Sequence, residues 1–391
     1  MRVLVNVVGA DGHFLPMVPL ARGLEAAGHD VVFAIDRSYV SVVDARGFKS
    51  LPLDPPKDMS SDEVVAESIA RVGLDRFRYQ IGGFLEVAVT NATRIVDLVE
   101  HHRPDVLVRE TTGWAGWLAG ELLDVPVAMF DFSPTPAGFF RETLGDLFDE
   151  ARRAVGLPSD PDLASLDKWL TLIGAPPGWF PPECFHPTTH LLQPPEDPLD
   201  GGSLPAWFDC LPDRPTVYVT LGTVFNNTPG AFDAVLTAVA DLDANVIVTV
   251  GRSTDPDAYA VPEHVRVERF IPQALLLPHC DAVIAHGGYG SLMGALRQGI
   301  PVVALPLAAG DNELNARRVE KLGAGIAIRE NHRSPAAILT AAVAILTEPS
   351  YRQAAQRVAA GLASLPTFLH AVPLVERLAH GRQPVLRENP A

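Results

Sequence analysis

The run DAVIAHGGYGSLMGALRQGIPVVALPL, residues 281–307, holds the fold in miniature. Its ends, DAVIAH (281–286) and PVVALPL (301–307), are short and almost wholly apolar, the pattern of parallel strands buried on both faces. Residues 291–298 between them have helical spacing and stop at Gly299, a residue that tolerates the left-handed turn ending many helices. Strand, loop, helix, strand is a βαβ unit. The loop HGGYGS then falls at a helix N-terminus, where free backbone N–H groups and about half a positive charge attract anions. Its glycines admit a phosphate to the backbone, and His286 and Ser291 add donors. No lysine is near, so this is not the P-loop G-x-x-x-x-G-K-[ST]. It suits a diphosphate that is bound and stabilised as it leaves, although a tight structural turn satisfies the same residues.

The same scheme repeats outward from this unit. In the second half TVYVTLG (216–222) and NVIVTVG (245–251) read as further strands, with helical stretches at 230–240 and 312–322. In the first half RVLVNVV (2–8), DVVFAI (30–35), DVLVRE (105–110) and PVAMF (126–130) do the same, with a helix over 14–27 stopped by Gly28. Eleven prolines fall between Pro176 and Pro215. Proline lacks the backbone donor and fixes φ, so this stretch is expected outside any sheet interior. The expected organisation is an N-terminal Rossmann-like domain over 1–195, a proline-rich linker over 196–215, and a second Rossmann-like domain over 216–366. A C-terminal helix and tail over 367–391 are expected to pack back on the first domain. Open parallel sheets bind ligands beyond the carboxyl ends of their strands, and two such domains would face a common cleft.

Composition narrows the function. A chain of 391 residues with 47% hydrophobic and 20% charged residues is folded rather than disordered. A net charge of −16 opposes a nucleic-acid partner, which needs clustered positive charge. Three widely spaced cysteines, Cys184, Cys210 and Cys280, fit a reducing cytoplasm and no structural zinc. No segment reads as a membrane span of ~20 apolar residues, and the start reads as a strand rather than a signal peptide. No metal site is expected: the Asp-x-Asp pairs at 160–162, 241–243 and 255–257 lie at turns or joints, and His101-His102 lack a partner spacing.

Chemistry concentrates on the loops after the strands. Gly9-Ala-Asp-Gly-His13 lacks the G-x-G-x-x-G spacing of a dinucleotide site but places His13 at a helix entrance. Imidazole accepts a proton near neutral pH, so His13 is a candidate general base; a capping or packing histidine is the bland alternative. Glu110 ends the strand DVLVRE and is a candidate to orient His13, or else an ion-pair partner of Arg109. Thr223, after TVYVTLG, is a loop donor. Asp311-Asn312 are either N-caps or ligands for hydroxyl groups. No Gly-x-Ser-x-Gly elbow is present, which weakens a hydrolase reading.

The block RFIPQALLLPHCDAVIAHGGYGS…ALRQGIPVVALPLAAGDNELNARRVEKLGAG, residues 269–325, resembles the nucleotide-sugar signature of family 1 glycosyltransferases, and most of all the actinobacterial enzymes that decorate antibiotic-like aglycones. VGADGHFLPMVPLARGLEAAGHDVVFA and VYVTLGTVFNN agree with it, so the likeness runs nearly end to end. It implies a GT-B fold of two Rossmann-like domains, and an inverting, metal-free transfer of a deoxy-type sugar from a dTDP- or UDP-sugar to a hydroxyl of a small apolar aglycone. It implies no cofactor beyond that co-substrate, a cytoplasmic location, and a monomer or homodimer. His13 would be the general base, with Glu110 as its partner where the family usually has aspartate. His286, Gly287, Gly288, Gly290 and Ser291 would hold the diphosphate, with Thr223 close by. Phe270, where many relatives have tryptophan, would meet the nucleobase with Ile271 and Gln273. Asp311 and Asn312 would bind sugar hydroxyls, Asn312 standing where glutamine is common. Most of Phe77, Phe84, Trp114, Trp117, Phe132, Phe139 and Phe140 are expected in the core, with a minority lining an acceptor pocket. Two rivals share the fold: a UDP-sugar 2-epimerase, active on donor alone, and a catalytically inactive helper of a partner transferase, a reading that failure to bind any nucleotide diphosphate would revive.

Overall fold

A computed structural model describes residues 1–54, 61–99, 103–134, 137–196, 203–222, 231–251, 254–307 and 311–387. The chain divides into two compact units, Met1–Glu196 with Leu365–Ala391, and Asp197–Ser364.

Unit 1 is a parallel sheet of seven strands: β1 (Arg2–Asn6), β2 (Asp30–Asp36), β3 (Lys49–Leu53), β4 (Val106–Glu110), β5 (Val127–Phe130), β6 (Leu170–Gly174) and β7 (Thr189–Leu192). Their order is β3-β2-β1-β4-β5-β6-β7. The chain runs outward one way from β1 and the other way from β4, so the switch point lies between those neighbours, paired as Val3↔Val106 to Asn6↔Arg109. Loops leaving β1 and β4 therefore open at one place, where open α/β sheets bind ligands. Leu4, Leu107 and Val127 face a core shared with the helices Gly73–Val99, Trp114–Leu123 and Ala137–Ala154. The final helix, Ala371–Gly381, returns to this unit: Glu376 bonds His29 at 2.7 Å, and Phe368 before it packs edge-on against Phe130.

Unit 2 has six strands: β8 (Thr216–Thr220), β9 (Asn245–Thr249), β10 (Val265–Glu268), β11 (Ala282–Ala285), β12 (Val302–Ala304) and β13 (Gly325–Ala327). Their order is β10-β9-β8-β11-β12-β13, all parallel. Its switch point lies between β8 and β11, so the loop after Ala285 opens beside the one after Thr220.

The proline-rich stretch stays outside the sheet interior: among its described residues the one strand is β7, THLL, free of proline and at the sheet edge, where only one side is paired. The helix expected over 14–27 is broken into Asp11–Phe14, a 3-10 turn Leu15–Met17 carrying Pro16, and Val18–Ala26. Finally, Pro349–Gly381 is long and apolar enough by composition to cross a membrane. A turn and a 3-10 segment, Phe368–His370, interrupt it, and Ala355, Val358, Leu374 and Leu378 on its two helices are buried within protein.

Candidate active site

At the switch point of unit 1, Ala10 opens the short helix that carries His13. The imidazole Nδ1 lies 3.1 Å from Glu110 Oε2 and 3.2 Å from Thr112 Oγ1. Glu110 is wholly buried. Its carboxylate accepts the Thr112 N–H at 2.7 Å on Oε2, the Thr112 hydroxyl at 2.8 Å on Oε1, and the Val8 N–H at 3.4 Å. Burial pushes this carboxyl up, but the His13 charge and the hydrogen bonds from His13 and Thr112 outweigh it and hold the group below the usual carboxylate range. An ionised carboxylate at Nδ1 places the ring proton there and leaves Nε2 as the basic nitrogen. Phe132 packs edge-on against the imidazole at 5.4 Å, fixing the ring plane. Arg109, the alternative partner for Glu110, instead donates to the backbone carbonyls of Glu110, Thr111 and Leu166. Sequence reasoning missed Thr112 and Phe132. Thr-Thr after a strand reads as ordinary loop polarity, and Phe132 as core.

In unit 2 the loop after β11 enters the helix Tyr289–Arg297, one residue pair earlier than the expected start at Ser291. Gly288 is its N-cap and, having no side chain, makes no capping bond; the first turn of a helix presents N–H groups of the kind that bind anions. Gly287 has φ +89, and a Cβ there would stand 2.7 Å from the Asn312 carbonyl oxygen. The His286 ring fills the space beside two glycines: a Cβ on Gly222 would come within 2.6 Å of it and one on Gly288 within 2.3 Å. Burial pushes this imidazole down to about 4, against a weaker opposing hydrogen bond to the Thr220 backbone, so at neutral pH it is uncharged. Its Nδ1 is buried and, among the described residues, has no hydrogen-bond partner. Ser291 is buried and its hydroxyl accepts from Gln273 Nε2 at 3.4 Å; the same amide reaches the Tyr218 hydroxyl, itself 2.8 Å from Thr249 Oγ1.

Among the other expected residues, Phe270 is 51% exposed, while Ile271 is buried and offers a ligand only its backbone. Asp311 opens the helix Asp311–Lys321 half-buried, and Asn312 is buried behind Gly287. Gly290 carries nothing within 4 Å of its Cβ position. Thr223, and the pair His101-His102, lie outside the described residues. Asn315 was missed: wholly buried, it donates to the Gly287 carbonyl at 3.1 Å and accepts from Arg318. Its spacing of one helical turn from Asn312 is the signal that would have found it. Among the described residues no group of three or more His, Cys, Asp or Glu converges as metal ligands do.

Residues 233–378 match the family described as erythromycin biosynthesis protein CIII-like, C-terminal domain. The chain is 30% identical to 4'-demethylrebeccamycin synthase of Lentzea aerocolonigenes, over 96% of this chain and 99% of that one. It is 27% identical to the aclacinomycin-T 2-deoxy-L-fucose transferase of Streptomyces galilaeus, over 97% and 96%. The solved structure of the glycosyltransferase VinC in complex with dTDP matches it with TM-score 0.77 at 24% identity, over 97% of this chain and 100% of that one.

Proposed function

This chain belongs to the GT-B glycosyltransferases of actinobacterial antibiotic biosynthesis, and on that premise we propose that it performs an inverting, metal-independent transfer of a deoxy sugar from a dTDP- or UDP-sugar to a hydroxyl of a small apolar aglycone. The observation that carries the mechanism is the 3.1 Å contact between His13 Nδ1 and a buried, ionised Glu110. It gives His13 one tautomer, in which Nε2 is the nitrogen that takes the acceptor hydroxyl's proton as the oxygen attacks the anomeric carbon. Attack on the face opposite the leaving group inverts that carbon in one step. The diphosphate departs as its charge is met by the N–H groups that open the helix Tyr289–Arg297. A neutral His286 contributes shape and, once an anion raises its basicity, a donor. The naming of a 2-deoxy-L-fucose transferase among the relatives supports the deoxy sugar, and the dTDP complex of a structural neighbour supports the nucleotide.

The test is His13→Ala. Transfer from a dTDP-sugar should fall by about 10²–10⁴-fold, while calorimetric binding of dTDP stays within twofold of the parent. A variant that loses the nucleotide and keeps its turnover would show the roles to be wrongly assigned.

A further inference from the structure

The Gly287–Gly288 peptide stands where the loop after β11 enters the helix Tyr289–Arg297, and its orientation decides what an anion meets there. Neither residue has a Cβ, so this peptide plane turns over at little steric cost. A planar trans peptide points its C=O and its N–H in opposite directions, and among the described residues no peptide bond is cis. In one orientation the Gly288 N–H faces a bound anion. In the other the Gly287 carbonyl oxygen does, and repels it.

Asn315 selects between the two. Wholly buried on the helix Asp311–Lys321, it donates its Nδ2–H to the Gly287 carbonyl at 3.1 Å and accepts from Arg318 Nη1 on Oδ1 at 2.9 Å. A guanidinium only donates and a backbone carbonyl only accepts, so the amide between them has one orientation. Aspartate would offer the carbonyl no donor, and leucine would serve neither partner. The Gly288 carbonyl is held as well, accepting the Leu292 N–H at 3.2 Å as the helix Tyr289–Arg297 begins. With the Gly287 carbonyl drawn toward Asn315, the Gly288 N–H is turned to the opposite side of their shared peptide.

We infer that Asn315 is a positioning residue for the transfer: it holds the Gly287–Gly288 peptide with its N–H toward the diphosphate, and Arg318 fixes Asn315 in that orientation. The inference rests on the reading of HGGYGS as the diphosphate loop and adds the side chain that sets its backbone. Asn315 acts through the peptide rather than on the substrate. A donor fixed in advance needs no reorganisation when charge develops on the leaving group.

The probe is dTDP, with thymidine as the control that lacks phosphate, titrated calorimetrically against the full chain. Nitrogen-15 NMR of glycine-labelled protein follows the Gly288 amide. In the parent, dTDP should move the Gly288 amide proton downfield, as a new hydrogen bond to an anion does, and thymidine should leave it in place. Asn315→Leu should abolish that shift and weaken dTDP about tenfold or more, with thymidine within twofold of the parent. Asn315→Asp should do the same although it keeps a partner for Arg318. Should neither variant fold, Arg318→Met decides. It leaves Asn315 in place with its amide free to turn, and should weaken dTDP at unchanged thymidine affinity, while Arg318→Lys, still a donor, restores it. Equal loss of dTDP and thymidine, a Gly288 shift that persists in Asn315→Leu, or parent-like dTDP affinity in Arg318→Met would each overturn the assignment. A parent that binds dTDP with the Gly288 amide unmoved overturns it too, and leaves the donor reading standing. A parent that binds no dTDP sinks the donor reading and this inference with it.

Discussion

At the scale of single residues, the His13–Glu110 pair shows how a carboxylate on a long arm is fixed. It meets Nδ1 at 3.1 Å because Thr112 and Val8 hold it by three donors. Those bonds matter for the proton as well as the position, since only an ionised Glu110 favours a proton on Nδ1. Glu110→Gln keeps an oxygen there but lets the amide donate to the ring, which favours the wrong tautomer. Transfer should fall by ~10²–10⁴-fold with the KM for the dTDP-sugar nearly unchanged; a change in KM alone would show that Glu110 serves binding. His13 and Glu110 were legible because both stand where strands deliver residues to the switch point. The residues that fix them were not, because a hydroxyl or a ring at close range is set by the fold and carries no spacing of its own.

At the scale of the element, the HGGYGS loop separates glycines needed for shape from those needed for a ligand. Gly287 has positive φ and backs onto the backbone carbonyl of Asn312, which cannot yield as a flexible side chain would. Gly287→Ala should lower the melting temperature and weaken dTDP at least tenfold together. Gly290 lies within the helix with open space at its Cβ, so alanine there should leave the melting temperature unchanged or raise it by up to ~1 kcal/mol of stability. If the diphosphate approaches that backbone, Gly290→Ala weakens dTDP without loss of stability; equal affinities in parent and variant would move the anion site elsewhere on the helix. The βαβ periodicity made the strands on either side of each switch point readable, since buried parallel strands are continuous apolar runs. Five strands were left unread. β13 is only three residues long and begins with Gly325, β3 contains Pro52, β7 hides among prolines and β10, VRVE, alternates with charge, so each is held by its neighbours in the sheet more than by its own pattern; β6, LTLIG, is a buried apolar run of the same kind as those that were read.

At the scale of the molecule, the two units carry buried titratable groups that respond to acid in opposite senses. In unit 2 the folded His286 titrates at about 4, below its ordinary 6.5, so the unfolded chain takes the proton first. Its contribution is full above pH 6.5 and is lost as pH falls toward 4, by at most about 3 kcal/mol and less for the surface the ring keeps. In unit 1 burial pushes the Asp131 carboxyl up to about 6 from 3.8, so there the folded state takes the proton first. Unit 1 therefore gains stability as pH falls from 6 toward 3.8, by a similar amount; Asp167, also raised by burial, adds to this, while the half-buried His190, lowered by burial, subtracts. Glu110 enters only in stronger acid, because its folded value lies below the usual range. A single melting curve merges these responses, but amide hydrogen exchange, corrected for intrinsic rates, reads each unit apart. Between pH 7 and pH 5, β8 and β11 should lose protection while β4 and β5 hold or gain it. His286→Asn should abolish the loss in unit 2, and Asp131→Asn should flatten the response of unit 1 and raise its protection at pH 7 by removing a buried charge. Protection that falls equally in both units, in parent and variants alike, would place the acid-sensitive groups elsewhere.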